Sequence, residues 1–248
     1  MANANTPRPT MAFKPVASHP KDALALIYDL EGFSRFFNQP DVQDYVPRFL
    51  NHIYEAVSVT YMGGQSLCDN VAYVPLIPPR HENFLGDGML LLWTFDSARP
   101  SVMEHNINVL CNRLWNLKHD FHAVLAAIAD DVPVLDVPSR IRFGLARGTV
   151  YELSRVGSTQ KEYFGFCINL ASRLQSYCPG IGFMASARLR LKEDVIRKNG
   201  YRRVVATKIK GFPKEAVIVD ENEFTRLPKV LKEEYFEEMP RAKDRRQG

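Results

Sequence analysis

The sequence predicts an α+β domain in which helices pack on one face of a central antiparallel sheet. Three observations carry that prediction. Ala23 to Leu30 (ALALIYDL) is a nearly continuous apolar run, the pattern of a strand buried on both faces. Val42, Tyr45, Val46, Phe49, Leu50, Ile53 and Val57 recur in steps of three and four, marking an amphipathic helix that reaches Tyr61. Asn83 to Phe95 reads as a hairpin that turns at Gly86-Asp87-Gly88, because Asp-Gly supplies the backbone freedom a tight turn needs.

The remaining elements follow in chain order. Residues 1–20 read as a flexible leader, broken by Pro7, Pro9, Pro15 and Pro20. Gly63-Gly64 stops the first long helix, and a polar excursion through Pro75 and Pro78-Pro79 leads to His81. Beyond the apolar strand that starts at Met89, a helical pattern runs from Ser101 to Ala129 and ends at Asp130-Asp131-Val132-Pro133. Ile141 to Val150 is strand-like, with a loop at Gly157 to Gln160 after it. Ile168 to Tyr177 reads as a helix stopped by Pro179-Gly180, and Phe183 to Lys198 as a further helix ended by Gly200. Tyr201 to Lys210 and Ala216 to Asp220 are closing strands, and Leu227 to Met239 is a surface helix. The order strand, helix, strand, strand, helix, strand, with additions, divides the chain into a leader (1–20), a domain (21–222), and a C-terminal helix with a basic tail (223–248).

Composition narrows the class further. With 46% hydrophobic and 24% charged residues in 248, the chain is neither disordered nor a disulfide scaffold. Its longest apolar runs, Met89 to Trp93 and Val124 to Ala129, fall far short of the roughly 20 residues of a membrane span. The leader has no apolar core of the secretory kind, and Cys68, Cys111, Cys167 and Cys178 show no paired spacing, so reduced thiols in the cytoplasm are expected. The net charge of +4 is too small to argue for nucleic acid. Much of it lies in the tail, at Arg241, Lys243, Arg245 and Arg246.

Two carboxylates stand out by position. Asp29 ends an apolar strand and Asp87 occupies the hairpin turn. Taken singly, Asp29 reads as the cap of the next helix and Asp87 as a good turn residue. Taken together, carboxylates at neighbouring strand ends can hold Mg²⁺ or Mn²⁺ and, through the ions, a triphosphate. Asn169 and Arg173, four apart on one helical face, offer an amide and a planar guanidinium fork to a shared cleft. His119 and His122 have no companion ligands for a zinc set and are read as structural.

These segments resemble the class III nucleotidyl cyclase family. Asp29-Leu30-Glu31-Gly32-Phe33-Ser34 looks like its first metal segment and Phe84-Leu85-Gly86-Asp87-Gly88 like its second. The strand Arg142 to Val150 and the segment Phe164 to Arg173 look like those that precede and carry its transition-state Asn and Arg. The resemblance covers roughly Ala23 to Asp220. It implies a ferredoxin-like βαββαβ core with extra strands and helices. It also implies two divalent ions held by Asp29, Asp87 and the carbonyl of Leu30, with Asn169 orienting the ribose and Arg173 meeting the charge on the α-phosphorus. Phe33, Ser34 and Lys210 would contact the substrate, with Lys208 and Lys214 as rivals for the distal phosphates. The implied unit is a head-to-tail homodimer, the metal carboxylates coming from one subunit and the Asn–Arg pair from the other.

The chain departs from the family at the positions that read a purine. Asn83 stands where adenylate cyclases carry Lys, and Glu162 where they carry Asp. An amide that donates and accepts, beside a carboxylate that only accepts, suits a uracil or a cytosine edge. The short architecture resembles the pyrimidine cyclases of the Pycsar antiphage system, whose cyclic UMP or cyclic CMP activates a separate effector. Tyr45, Phe49 and Tyr54 would narrow the base pocket, or else simply pack the core. The expected reaction is therefore UTP (or CTP) to a 3′,5′-cyclic nucleotide and pyrophosphate. The alternatives are an adenylate or guanylate cyclase of ordinary signalling, and a non-catalytic nucleotide- or RNA-binding module.

Overall fold

The computed structural model of the chain describes residues 13–15, 19–66, 71–95, 100–155, 159 and 161–239. Cys68, the tail cations from Arg241 onward and most of the expected loop at 157–160 lie outside these residues.

The apolar run of the first strand extends to β1, Lys21–Glu31. A five-residue helix, α1 (Phe33–Phe37), follows at once. A short 3-10 turn at Val42–Asp44 then leads into α2, Val46–Met62, which stops at Gly63. The excursion carries a two-stranded ribbon of Gly64–Gln65 and Ala72–Tyr73. The hairpin is β2 (His81–Phe84) and β3 (Met89–Thr94), as the Asp-Gly turn predicts. The helix expected over 101–129 is two: α3 (Pro100–His119) and α4 (Phe121–Ala127), broken at Asp120, whose φ of −95° and ψ of 12° leave the helical basin.

After α4 comes β4, Arg140–Arg155, sixteen residues long. Its last third pairs with β5 (Lys161–Gly165), a strand the sequence reading did not anticipate. Helix α5 spans Phe166–Leu174. The reading of Phe183 to Lys198 as one helix is corrected: it opens with β6 (Phe183–Ser186) and ends in α6 (Glu193–Lys198). A four-residue run buried on every side carries no period, so helix and strand look alike in it. The chain closes with β7 (Tyr201–Ala206), β8 (Glu215–Asp220), α7 (Glu221–Arg226) and α8 (Lys229–Tyr235).

Ten strands form one sheet in the order Phe236–Glu237, β7, β8, β6, β4, β1, β3, β2, with β5 and Phe13–Pro15 also on β4. Among the described residues only β4 and β6 run parallel. The stretch β4-β1-β3-β2 is the βαββαβ unit, its outer strands being the fourth and the second in order. Helices cover both faces, which corrects the expectation of one. Leu24, Leu26, Tyr28 and Leu30 of β1 join the core beneath α2 and α3, with Phe49, Ile53 and Leu114. Ala23, Ala25 and Ile27 join a second core under α5, with Cys167, Leu170, Ala171 and Leu174. A strand apolar at both parities requires this, since each fully buried large side chain contributes about 1.5–3 kcal/mol that exposure would forfeit.

Helix α5 lies unusually close to the sheet. A Cβ on Gly144 would stand 2.2 Å from the Ala171 carbonyl oxygen, so only glycine admits the helix at that point of β4. Phe224, Leu227 and Phe236 are buried in the same second core, which binds the segment after β8 to the domain. Among the described residues no helix is long and apolar enough to cross a membrane.

Candidate active site

Strand alternation sets the direction of Asp29. Its neighbours Tyr28 and Leu30 are sunk in the core beneath α2 and α3, so Asp29 projects from the opposite face of the sheet. The antiparallel register of β1 and β4 puts Arg142 directly across from it. The guanidinium grips the carboxylate with both prongs, Nε donating to Oδ1 at 2.9 Å and Nη2 to Oδ2 at 2.7 Å. This fork-to-carboxylate geometry is among the strongest pairings a protein makes.

Asp87 reaches the same place through its turn. The Leu85 N–H donates to the Gly88 carbonyl at 2.9 Å and closes the hairpin. A Cβ on Gly88 would fall 1.9 Å from the Tyr28 carbonyl oxygen. The turn backbone is therefore pressed onto β1 one residue before Asp29, which only glycine permits. Tyr54 of α2 holds the turn from the other side, its hydroxyl donating to the Gly86 carbonyl at 2.9 Å. Its ring meets Phe84 edge-on at 5.0 Å.

The electrostatics record this proximity. Burial pushes the Asp87 carboxyl above the usual carboxylate range, and the charge of Asp29 adds to the rise, while a backbone hydrogen bond and Arg142 oppose it. The hydrogen bond to Asp29 raises Arg142, with the charges of Asp29, Glu31 and Asp87 contributing. Burial, with Asp87 nearby, pushes the Tyr54 phenol up to about 12, so it remains a donor at neutral pH.

Carboxylate oxygens at neighbouring strand ends are the kind of hard donors that suit Mg²⁺ or Mn²⁺. Such ions are held by one or two carboxylates and complete their shells with water and substrate phosphates. Among the described residues no group of three or more His, Cys, Asp or Glu gathers. Leu30 is 2% exposed, and only its backbone carbonyl can take part.

The other predicted residues are placed as follows. Phe33 is half-buried against Phe36 and Phe37, and Ser34 is exposed beside it on α1. Phe49 is corrected: it is fully buried, 4.9 Å from the Phe36 ring, and reaches no open surface. An aromatic at helical spacing has in this case packed the core beneath α1 rather than lined a pocket. Asn169 and Arg173 share the exposed side of α5, away from the buried Leu170, Ala171 and Leu174. Neither bonds Asp29 or Asp87, and among the described residues neither has a hydrogen-bond or ion-pair partner. Asn83 is exposed on β2 opposite Leu90, and Glu162 is half-buried on β5 opposite Leu153.

Among the late lysines the rivals are engaged, Lys208 with Glu234 at 3.5 Å and Lys214 with Glu237 at 2.5 Å. Lys210 is exposed and has no ion-pair partner among the described residues. His119 lies 2.8 Å from the buried Asp220, within a cluster that includes Lys118. Sequence reasoning missed two contributors, Arg142 as the partner of Asp29 and Tyr54 as the support of the Asp87 turn. Arg142 carries no local signal, because its role exists only in the strand register.

The chain is similar in fold to a crystallised adenylyl cyclase, CyaB from P. aeruginosa, at a TM-score of 0.58 and 17% identity, covering 81% of this chain and 94% of that one. It is also similar to a crystallised guanylyl cyclase, at 0.54 and 18%, covering 82% and 92%. No protein-family model and no curated protein matches it.

Proposed function

We propose, from the class III nucleotidyl cyclase fold and the carboxylate pair on it, that this chain is a nucleotidyl cyclase. What supports the reading above all is the seating of the Asp87 turn against β1, beside the carboxylate of Asp29. Asp29, Asp87 and the Leu30 carbonyl are the residues that would hold two divalent ions. Those ions, when bound, lower the pKa of the ribose 3′-hydroxyl and offset the charge of the leaving pyrophosphate. The 3′-oxygen forms its bond to the α-phosphorus as the bond from that phosphorus to the bridging oxygen breaks.

The chain's own side chains do the rest. Asn169 orients the ribose through its amide, and Arg173 donates to the α-phosphate oxygens where charge gathers in the transition state. Lys210, free of the ion pairs that hold its neighbours, faces the distal phosphates. Because Asn169 and Arg173 make no contact with the carboxylates of their own chain, the complete site draws them from a second copy in a homodimer. Asn83 and Glu162 read the base as a pyrimidine, uracil before cytosine. Cyclic UMP is then a second messenger for a separate effector in antiphage defence.

Incubating the pure protein with ATP, GTP, CTP and UTP together with Mn²⁺, then weighing the products by mass spectrometry, tests this directly. Cyclic UMP as the main product is expected, and Asp29→Ala, Asp87→Ala and Arg173→Ala should each abolish it. A dominant cyclic AMP or cyclic GMP peak overturns the pyrimidine assignment. Folded protein that yields no cyclic product overturns the cyclase reading.

A further inference from the structure

The bidentate grip of Arg142 takes both oxygens of Asp29, a carboxylate that the proposed function needs for a divalent ion. Guanidinium and metal are both cations, and placing both on one carboxylate brings two positive charges into contact in a partly shielded site. Arg142 is 23% exposed at its side chain and Asp29 20%, so the pair borders solvent rather than being sealed in the core. The pairing is not a feature of the strand ladder alone. Asp22 and Arg147 also pair across β1 and β4, but there both short bonds go to Oδ2, at 3.1 and 2.6 Å, and Asp22 is 46% exposed. At Asp29 both carboxylate oxygens are taken, and the turn that carries Asp87 is pressed onto β1 one residue away.

We propose that Arg142 is a placeholder cation: it neutralises Asp29 while no divalent ion is bound, and the ion enters the Asp29–Asp87 pair as the guanidinium leaves. The inference rests on the metal-dependent cyclase reading and adds a control to it. Without Arg142, two adjacent carboxylates would repel each other and would also capture stray divalent ions readily. With it, the fold keeps the pair at low net charge, and uptake of the ion is opposed by the ion pair that must open. By linkage, any anion that draws the guanidinium off Asp29 raises the affinity for the ion.

Titration of Mn²⁺ alone into the full chain, with free Mn²⁺ read by electron paramagnetic resonance, tests the exchange without any turnover. Arg142→Gln should bind Mn²⁺ roughly tenfold more tightly than the unaltered protein, the gain expected from removing one charge-assisted bidentate pair. Asp29→Asn should lose that binding. A second measurement needs no altered protein to fold: the Nε–H resonance of Arg142, identified by its disappearance in Arg142→Lys, should move as Mg²⁺ saturates the site. Equal Mn²⁺ affinity with and without Arg142, or an Nε–H that does not move at saturation, overturns this proposal and leaves the metal site standing. Failure of either protein to take up Mn²⁺, or unchanged uptake by Asp29→Asn, overturns the site and the proposal together.

Discussion

At the scale of single residues, the carboxylate pair depends on neighbours with no acid–base or metal chemistry of their own. Gly88 lets the hairpin turn lie on the Tyr28 carbonyl, and the Tyr54 hydroxyl fixes the turn from α2. Removing that hydroxyl with Tyr54→Phe leaves the Gly86 carbonyl without its partner and the ring packing against Phe84 intact. We expect a loss of about 1 kcal/mol in stability, the usual net value of one such bond. On the proposed function, turnover should fall several-fold with weaker Mn²⁺ binding, because Asp87 is then less well held. Urea unfolding and steady-state kinetics on the same preparation check both; unchanged kinetics would mean that the turn holds its place without Tyr54. Phe49 teaches the converse. The resemblance offered it to a base pocket, whereas its helical spacing describes a buried stripe, and the stripe is what the fold uses.

At the scale of elements, β4 organises the molecule. Residues 140–150 pair with β1 and bring Arg142 to Asp29, while residues 150–154 pair with β5. Glu152 pins that outer arm. It is buried, bonded to Lys21 at 2.9 Å and to Lys161 at 2.5 Å, and accepts from the Tyr163 hydroxyl at 3.3 Å. Lys161 foremost, then Lys21, hold its pKa down at about 2 against burial, which works the other way. A carboxyl whose folded pKa lies below its ordinary 4.5 stabilises the fold above 4.5, and that contribution fades as pH falls toward 2. Glu152→Gln should therefore cost about 1 kcal/mol at pH 7, both lysines being partly exposed, and little near pH 2. Chemical denaturation at the two pH values measures the difference. An equal loss at both would show that lost packing, rather than charge, explains it.

At the scale of the whole molecule, the described contacts unite one half of the proposed site and leave the other open. The Asp87 turn lies against β1 beside Asp29 within a chain, whereas Asn169 and Arg173 lie on the exposed side of α5 without partners among the described residues. If two copies complete each other, Asp87→Ala and Arg173→Ala chains mixed in equal amounts should recover about a quarter of normal activity, since random pairing yields half heterodimers with one intact site each. A mixture that stays inactive, although both variants fold and associate, contradicts the shared site. The sequence alone determined the elements with a strong period or a strong turn: the twice-apolar strand β1, the amphipathic α2, the Asp-Gly hairpin and the two acids at its end and on β1. These are local properties, written in the spacing of apolar residues and the chemistry of one turn. Only the tertiary structure decided that β4 sets Arg142 against Asp29, that Phe183 opens a strand rather than a helix, that α5 covers a second face, and that Tyr54 supports the Asp87 turn. Each of these joins residues far apart in the chain, and register and packing arise from the sum of many contacts, so no short stretch of sequence carries them.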